Sequence, residues 1–199
     1  MIDNYDLILP LLDFSNEDMF YHIQIIKRRK ENPELGSNNS TIVHYYINSE
    51  KSLANRYSEM KSITVATNSR LCINLNRRSY EKIAYHTLVT MSNQMMNRDF
   101  YNVKKAFSRA VGQYHHDNKK KWILDIDLKD ITSFEYQEYT RLLGTVKAQI
   151  YATLPTKNGE HWITSPFDLS DFQRLADLTK TRVLHESIQK NNPTILFVP

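Results

Sequence analysis

Polar and apolar residues alternate from Trp122 to Asp130, which is the period of a strand with one buried face. One set of alternate positions is predicted to face a core: Trp122, Leu124, Ile126 and Leu128. The opposite face carries Ile123, Asp125, Asp127 and Lys129. Same-face neighbours on a strand lie roughly 6.5–7 Å apart at Cα, so two carboxylates can converge on a pair of divalent ions. Taken alone, the pattern is more typical of the solvated face of an ordinary strand.

Hydrophobic periodicity predicts the remaining elements. Helices are predicted over 15–30, 80–96 with Ser79 as cap, 99–111, 134–148 and from 169 onward, and a short helix or a turn is predicted over 52–60. Strands are predicted over 41–48, 63–66, 71–75, 150–154, 160–164, 183–188 and 194–198. This order predicts an α+β fold, a mostly antiparallel sheet with helices packed on it. We expect a single domain over 1–199, with an N-terminal α/β part (1–112) and a C-terminal α+β part (113–199).

Composition and charge restrict the class of protein. The chain has 199 residues, 41% of them hydrophobic and 24% charged, which is enough for a full core and excludes a disordered chain. The formal net charge is +4, and the basic residues concentrate in runs at 27–30, 77–78 and 119–121. Each run alone is typical of a solvated segment, but three of them predict a nucleic-acid-binding face.

Several site classes are excluded or disfavoured by residue type. The single cysteine, Cys72, excludes an intrachain disulfide and a cysteine-based zinc site, and buried packing is its expected role. His115 and His116 are adjacent and cannot form a same-face helical metal pair. No Gly-rich phosphate loop, export signal or apolar span of ~18 residues is present, so we expect a cytoplasmic protein without membrane contact.

Three local sequences of the second half resemble motifs of the archaeo-eukaryotic primase (primase–polymerase) superfamily. Ile-Leu-Asp125-Ile-Asp127 resembles the first motif, an apolar strand carrying two metal-binding acids. Segment 156–164 resembles the second, a small-residue turn followed by a histidine, here His161, on the next strand. Segment 190–196 resembles the third-motif region of small phage- and mobile-element-borne members, where the family usually places one more acid and this chain has Asn191. Segment 70–79 resembles the arginine-bearing strand that precedes a long helix.

The resemblance implies a primase-like catalytic core, with an RRM-like second half, and a role for each matching residue. Asp125 and Asp127 are implied to hold one or two Mg²⁺ or Mn²⁺ ions, with Asn191 as an uncharged third ligand that lowers metal affinity. His161 is implied to be catalytic and to donate to a phosphate of the incoming nucleotide. The implied nucleotide-binding residues are Lys157, Asn158, Gly159, His161, Arg70 and Arg77. Without the resemblance, His161 is interpreted as a partly buried structural histidine, and Lys157 and the arginines equally well as solvated surface residues.

We therefore predict a metal-dependent nucleotidyltransferase, a DNA or RNA primase–polymerase core acting on a single-stranded template and nucleoside triphosphates. A helicase or other replication protein is an expected partner. One alternative is a catalytically inactive nucleotide- or nucleic-acid-binding protein of the same fold, with Tyr45, Tyr46 or Tyr101 as stacking surfaces. Another is a metal-dependent nuclease, since paired acids and a histidine also serve phosphodiester hydrolysis. A pure protein–protein interaction role is a third.

Overall fold

The computed structural model describes residues 1–114, 118–129, 131–179 and 187–199. In these ranges the strands are β1 (Ile2–Asp3), β2 (Met19–Lys27), β3 (Ser40–Ile47), β4 (Arg70–Ser79), β5 (Trp122–Asp127), β6 (Ile150–Pro155), β7 (Gly159–Thr164), β8 (Ile188–Gln189) and β9 (Thr194–Val198). The α-helices are α1 (Tyr5–Ile8), α2 (Glu50–Ala66), α3 (Tyr80–Met96), α4 (Ala106–Gln113), α5 (Ser133–Thr145) and α6 (Leu169–Leu178).

The strands form two antiparallel sheets, which confirms the predicted α+β class. The first sheet has the order β1-β9-β4-β2-β3 and the second has the order β6-β7-β5-β8. The second sheet, with α5 and α6, follows the succession β-α-β-β-α-β of the ferredoxin-like arrangement. The C-terminal strand β9 pairs with β4 and β1, so it returns across the predicted boundary at 112/113 to join the first sheet.

Two hydrophobic cores lie on opposite faces of the second sheet. Leu124 and Ile126 of β5 pack with α5 and α6, as the alternation predicts. Ile123, on the other face, belongs to the larger core, which also contains residues of the first sheet such as Ile73. Leu128 follows the end of β5 and is exposed, so the predicted buried face ends with the strand.

The segment predicted as a helix over 15–30 is the strand β2, and that prediction is wrong. Its apolar spacing fits a helix, but alternate residues Tyr21, Ile23 and Ile25 all enter the main core. The strand pairs with β3 along one edge and β4 along the other, and most of its residues are buried. Tertiary pairing of aromatic and β-branched residues thus overrides a local helical pattern.

The predicted strand over 63–66 is also wrong, because these residues form the last turn of α2. Thr64 is fully buried and donates its hydroxyl hydrogen to the Met60 carbonyl one turn earlier. By contrast, α3 spans the predicted range, and the Ser79 hydroxyl caps it by accepting the Lys82 backbone N–H.

The predicted strand over 183–188 falls mostly outside the described residues, as do His115, His116 and Asp130. Of that strand, β8 is the described part, and it pairs with β5. Within the described parts of the chain, none of the helices has the length and apolar character that crossing a membrane requires.

Candidate active-site cleft

A cleft of about 580 Å³ lies between the two sheets and is lined by residues from both. The first sheet and its loop contribute Ile26, Arg28, Lys30, Glu31, Asn39, Arg70, Cys72 and Ile195. The second sheet and the residues near it contribute Asp125, Asp127, Thr156, Lys157, Asn158, Gly159, His161, Gln189, Asn192 and Pro193. The volume lies within the range of small-molecule sites, and most of the lining residues are polar.

Asp125 and Asp127 both line this cleft, because alternate residues of β5 project to the same side. Asp125 Oδ1 lies 3.5 Å from His161 Nε2, and its Oδ2 accepts a long hydrogen bond of 3.4 Å from Gln189 Nε2. Asp127 Oδ1 accepts the Lys129 backbone N–H at 3.1 Å. The Asp125 side chain is 43% exposed, so this carboxylate is accessible from the cleft.

His161 is held between the sheets at the back of the cleft. It pairs in register with Asp125, because β7 runs antiparallel to β5. Its Nδ1 lies 2.8 Å from Thr194 Oγ1, and Thr194 is a fully buried residue of β9 in the first sheet. The neighbouring Trp162 packs on the opposite face with α5 and α6. His161 is therefore both a largely buried, hydrogen-bonded histidine and a cleft residue. Thr194 and Gln189 were not among the predicted site residues, since neither lies in a motif position that implied a role.

The turn at 156–159 packs directly against the strand that carries the acids. The Thr156 N–H donates to the Gly159 carbonyl at 2.8 Å, and the Gly159 N–H donates to Thr156 Oγ1 at 3.1 Å. The Asn158 carbonyl accepts the Leu128 N–H at 3.2 Å. A Cβ on Gly159 would lie 1.9 Å from the Ile126 carbonyl oxygen, so no larger residue fits there without displacement of β5.

Arg70 and Lys157 lie in the cleft and share a partner, Glu31, for which the sequence predicted neither a helix or strand nor a site role. Arg70 Nε and Nη2 donate to Glu31 Oε2 and Oε1 at 3.0 and 2.6 Å. Lys157 Nζ, from the second sheet, lies 3.3 Å from Glu31 Oε1. The hydrogen bonds from Arg70 are the main cause that holds the pKa of Glu31 below its ordinary value, although partial burial opposes the shift.

Arg77 and Asn191 do not line the cleft, in contrast to the roles implied for them. Arg77 Nη1 donates to the Asp13 carbonyl at 2.9 Å and lies 3.2 Å from Asp13 Oδ2. Arg77 lies seven positions after Arg70 along β4, which corresponds to roughly 23 Å. The Asn191 carbonyl accepts the Asn74 amide at 2.6 Å, and its own Oδ1 is buried without a partner among the described residues. Asn191 is therefore not one of the residues that line the cleft with the two carboxylates.

The three basic runs do not form one surface. Arg78 is only 2% exposed and donates to the carbonyls of Val111 and Asn76 at 2.7 Å each. Burial lowers its pKa to about 10. Arg28 and Lys30 of the first run do line the cleft. Of the predicted stacking residues, Tyr45 is buried in the core, whereas Tyr101 is exposed.

Asp125 and Asp127 are the residues of β5 in the cleft that could hold a divalent metal ion. Within the described residues, no cluster of three or more acids, histidines or cysteines is arranged to hold a metal. Mg²⁺, however, is commonly bound through one or two carboxylates, with water and substrate phosphates completing the coordination. Asp125 and Asp127 supply two such carboxylates on one side of the cleft. Cys72 is buried and its pKa is raised by burial to about 12, so it does not add a thiolate.

No protein-family model matches the chain, and no match is found among the curated proteins or the solved structures. Two of the three sequence motifs that resemble primases meet in the cleft, as the acid strand β5 and the histidine-bearing hairpin β6–β7. The third region contributes Asn192 and Pro193. The family itself stays a prediction from these motifs.

Proposed function

We propose that the protein is a metal-dependent nucleotidyltransferase, which adds a nucleotide from a nucleoside triphosphate to a strand on a single-stranded template. One observation carries the proposal: Asp125 and Asp127 share a single cleft with Arg70 and Lys157. Carboxylates that hold a cation and bases that hold phosphate are the two components that phosphoryl transfer requires. Neither pair alone would support this chemistry.

Each group has a distinct role in the proposed reaction. Asp125 and Asp127 would hold Mg²⁺ or Mn²⁺, which when bound neutralises triphosphate charge and favours attack by a strand 3′ hydroxyl. Arg70 offers two parallel N–H donors to a phosphate, and Lys157 adds a mobile point charge. When the Thr194 hydroxyl donates to Nδ1 of His161, Nε2 carries the ring proton and can donate to an anionic oxygen.

The test is strand synthesis by the purified protein with primed and unprimed single-stranded templates, labelled nucleoside triphosphates and Mn²⁺. We expect extended products with the wild type and none with Asp125→Asn or Asp127→Asn. Asp171→Asn is the matched control, because Asp171 is an exposed acid of α6 outside the cleft. Absence of product with every template and metal would contradict the proposal. Fragments released from unprimed strands without nucleotides would indicate a nuclease instead.

A second candidate is a nucleic-acid-binding protein that lacks catalysis. One reason is that the chain has Asn191 at the position where the resemblance to primases implies an acid. A second is a set of three stacked aromatic side chains on β2 and β3. The rings of His22, His44 and Tyr46 are parallel within 11°, and β2 continues to the cleft at Ile26. Such rings can stack on bases, while the basic cleft residues attract the backbone.

This candidate predicts salt-sensitive binding of single strands without turnover. His44 is exposed, so His44→Ala should weaken binding about tenfold if a base stacks there. Tyr85→Ala, which removes an exposed ring from α3, is the control and should have no effect. Binding that is insensitive to salt, or equal loss in both variants, would exclude this mode. The measurement is fluorescence anisotropy of a labelled oligonucleotide across a salt series.

A further inference from the structure

We propose that the Glu31 carboxylate occupies the phosphate-binding position of the cleft and that a phosphate group of the ligand displaces it. The inference rests on the proposed function for the identity of the ligand, a nucleoside triphosphate. The structural observation behind it does not depend on that function: one carboxylate, that of Glu31, contacts two basic side chains that come from different sheets.

The contacts of Glu31 are those that a phosphate would make. Arg70 reaches both carboxylate oxygens through Nε and Nη2, at 3.0 and 2.6 Å. The same two parallel N–H donors match two oxygens of a phosphate. Lys157 approaches Oε1 at 3.3 Å from the second sheet, so the carboxylate bridges the cleft. A terminal phosphate placed at this point would accept from the same three nitrogens.

Hydrogen bonds fix the backbone at Glu31 and at its neighbours, so the point from which its side chain enters the cleft is set. The Glu31 N–H donates to the Arg28 carbonyl at 3.1 Å. The next residue, Asn32, is 3% exposed, and its amide donates to the same carbonyl at 3.0 Å and to the Asn68 carbonyl at 3.3 Å. Arg29 N–H donates to Asn39 Oδ1 at 3.0 Å, which closes the loop. The side chain can therefore rotate away while the loop stays folded.

Charge favours the exchange. One carboxylate neutralises only one of the two bases it contacts, and Arg28 and Lys30 also line the cleft. A phosphate group that carries two negative charges is therefore a stronger partner for Arg70 and Lys157 than Glu31 is. An anion with a single charge gains little over the resident carboxylate. Glu31 thus acts as a competitor that a polyphosphate displaces and a weaker anion does not.

The opposing hypothesis is that Glu31 only orients Arg70. The two hypotheses predict opposite effects of Glu31→Gln on anion affinity. If the carboxylate competes with the polyphosphate, its neutralisation must tighten polyphosphate binding, because Arg70 and Lys157 are no longer occupied by an internal anion. If the carboxylate only orients, its loss must weaken binding. Glu31→Asp keeps the charge but shortens the side chain, so it cannot bridge both bases and should also tighten binding.

The experiment is calorimetric titration of inorganic tripolyphosphate, and separately of a non-hydrolysable nucleoside triphosphate, into each variant. A carboxylate that is bound nine-tenths of the time lowers affinity about tenfold, so Glu31→Gln should bind about tenfold more tightly than wild type. Arg70→Gln should lose binding. Glu34→Gln is the matched control, because Glu34 lies in the same loop and pairs with Lys27 at 2.9 Å outside the cleft.

The outcomes separate this inference from the proposed function. Equal or weaker binding by Glu31→Gln, with wild-type binding and strand synthesis intact, overturns the competition alone. Failure of both wild type and Glu31→Gln to bind either polyphosphate overturns the phosphate position and, with it, the proposed function. Thermal unfolding of each variant without ligand identifies any loss of fold, and Glu31→Asp then supplies an independent comparison.

Discussion

At the scale of single residues, Gly159 determines how closely the histidine hairpin approaches the strand of the acids. It pairs in register with Asp127, and a Cβ there would also lie 2.9 Å from the Leu128 backbone nitrogen and 3.0 Å from the Asp127 Cα. Gly36 is the only glycine among the described residues with a positive φ. The requirement for glycine at 159 therefore arises from contact between strands rather than from backbone conformation.

Gly159→Ala should destabilise the fold by about 1–3 kcal/mol, the usual cost of inserting a methyl group into a packed contact. Because β5 must move, the cation and nucleotide binding proposed at Asp127 should weaken as well. Gly144→Ala is the control, since Gly144 in α5 has open space around it and alanine favours a helix by about 0.5–1 kcal/mol. Urea denaturation measures both, and equal stability of the two variants would contradict the contact.

His22 and His44 form a second residue-scale feature with a consequence for pH. His22 Nε2 lies 2.9 Å from His44 Nδ1, so one of these nitrogens donates its hydrogen and the other accepts. The two facing nitrogens therefore cannot both carry a proton. Burial, with the nearby charges of Arg78 and His44, lowers the pKa of His22 to about 3. Burial also lowers the pKa of His44.

The stability of the protein should therefore decrease as the pH falls below the ordinary histidine pKa of 6.5. Between these two pKa values His22 is protonated in the unfolded chain and neutral in the folded chain. The free energy of unfolding is therefore at its full value above pH 6.5 and decreases as the pH falls toward 3. We expect a loss of about 1–2 kcal/mol between pH 7 and pH 5, reduced in His22→Gln. Chemical denaturation across this range measures it, and a flat profile for the wild type would contradict it.

At the scale of elements, helix α3 and strand β5 were predictable because their signals are local. The Ser79 cap and the alternation about Asp125 each lie within one element. The prediction of a helix at β2 was wrong, because pairing with β3 and β4 determines the conformation of this segment. The spacing of its own apolar residues does not reveal that pairing. Local patterns thus predict a helix or strand correctly when its conformation is determined by residues within that segment.

The same limit applies to the site. Asp125, Asp127 and His161 lie on strands joined by one hairpin and one helix, so motif order placed them in one cleft. Glu31 contacts Arg70 and Lys157, which are distant along the chain, and no local pattern around Glu31 predicts these contacts. Nothing local distinguishes the cleft residue Arg70 from Arg77, which binds Asp13 instead. Contacts between residues that are distant along the chain could not be predicted from local sequence patterns.

Helix α3 has one buried face and one exposed face. Ile83 is fully buried near Phe20 and α4, whereas Leu88 is 62% exposed. Ile83→Ala should cost about 2–5 kcal/mol of unfolding free energy because it leaves a cavity, and Leu88→Ala should change it by less than about 0.5 kcal/mol. Thermal or urea unfolding measures the pair. A comparable cost for Leu88 would show that something else covers this face.

At the scale of the whole molecule, the cleft depends on how the two sheets are joined. Strand β9 belongs to the first sheet, yet its Thr194 holds His161 of the second. The Asn4 side-chain amide donates to the carbonyl of Ile195 on β9 at 2.9 Å and to that of Pro155 on β6 at 3.0 Å. Asn4 is fully buried, so these bonds connect the sheets away from water.

Asn4→Ala should therefore lower the free energy of unfolding by about 2–4 kcal/mol, because two carbonyls lose a buried donor and a small cavity is left. Asn48→Ala, at an exposed asparagine, is the control and should have little effect. Since Asp125 and His161 lie on one sheet and Arg70 on the other, a looser junction should also weaken tripolyphosphate binding. Calorimetry on the folded variant tests this second effect. If Asn4→Ala loses stability but binds tripolyphosphate as tightly as the wild type, the spacing of the sheets is set by β9 and the main core rather than by Asn4.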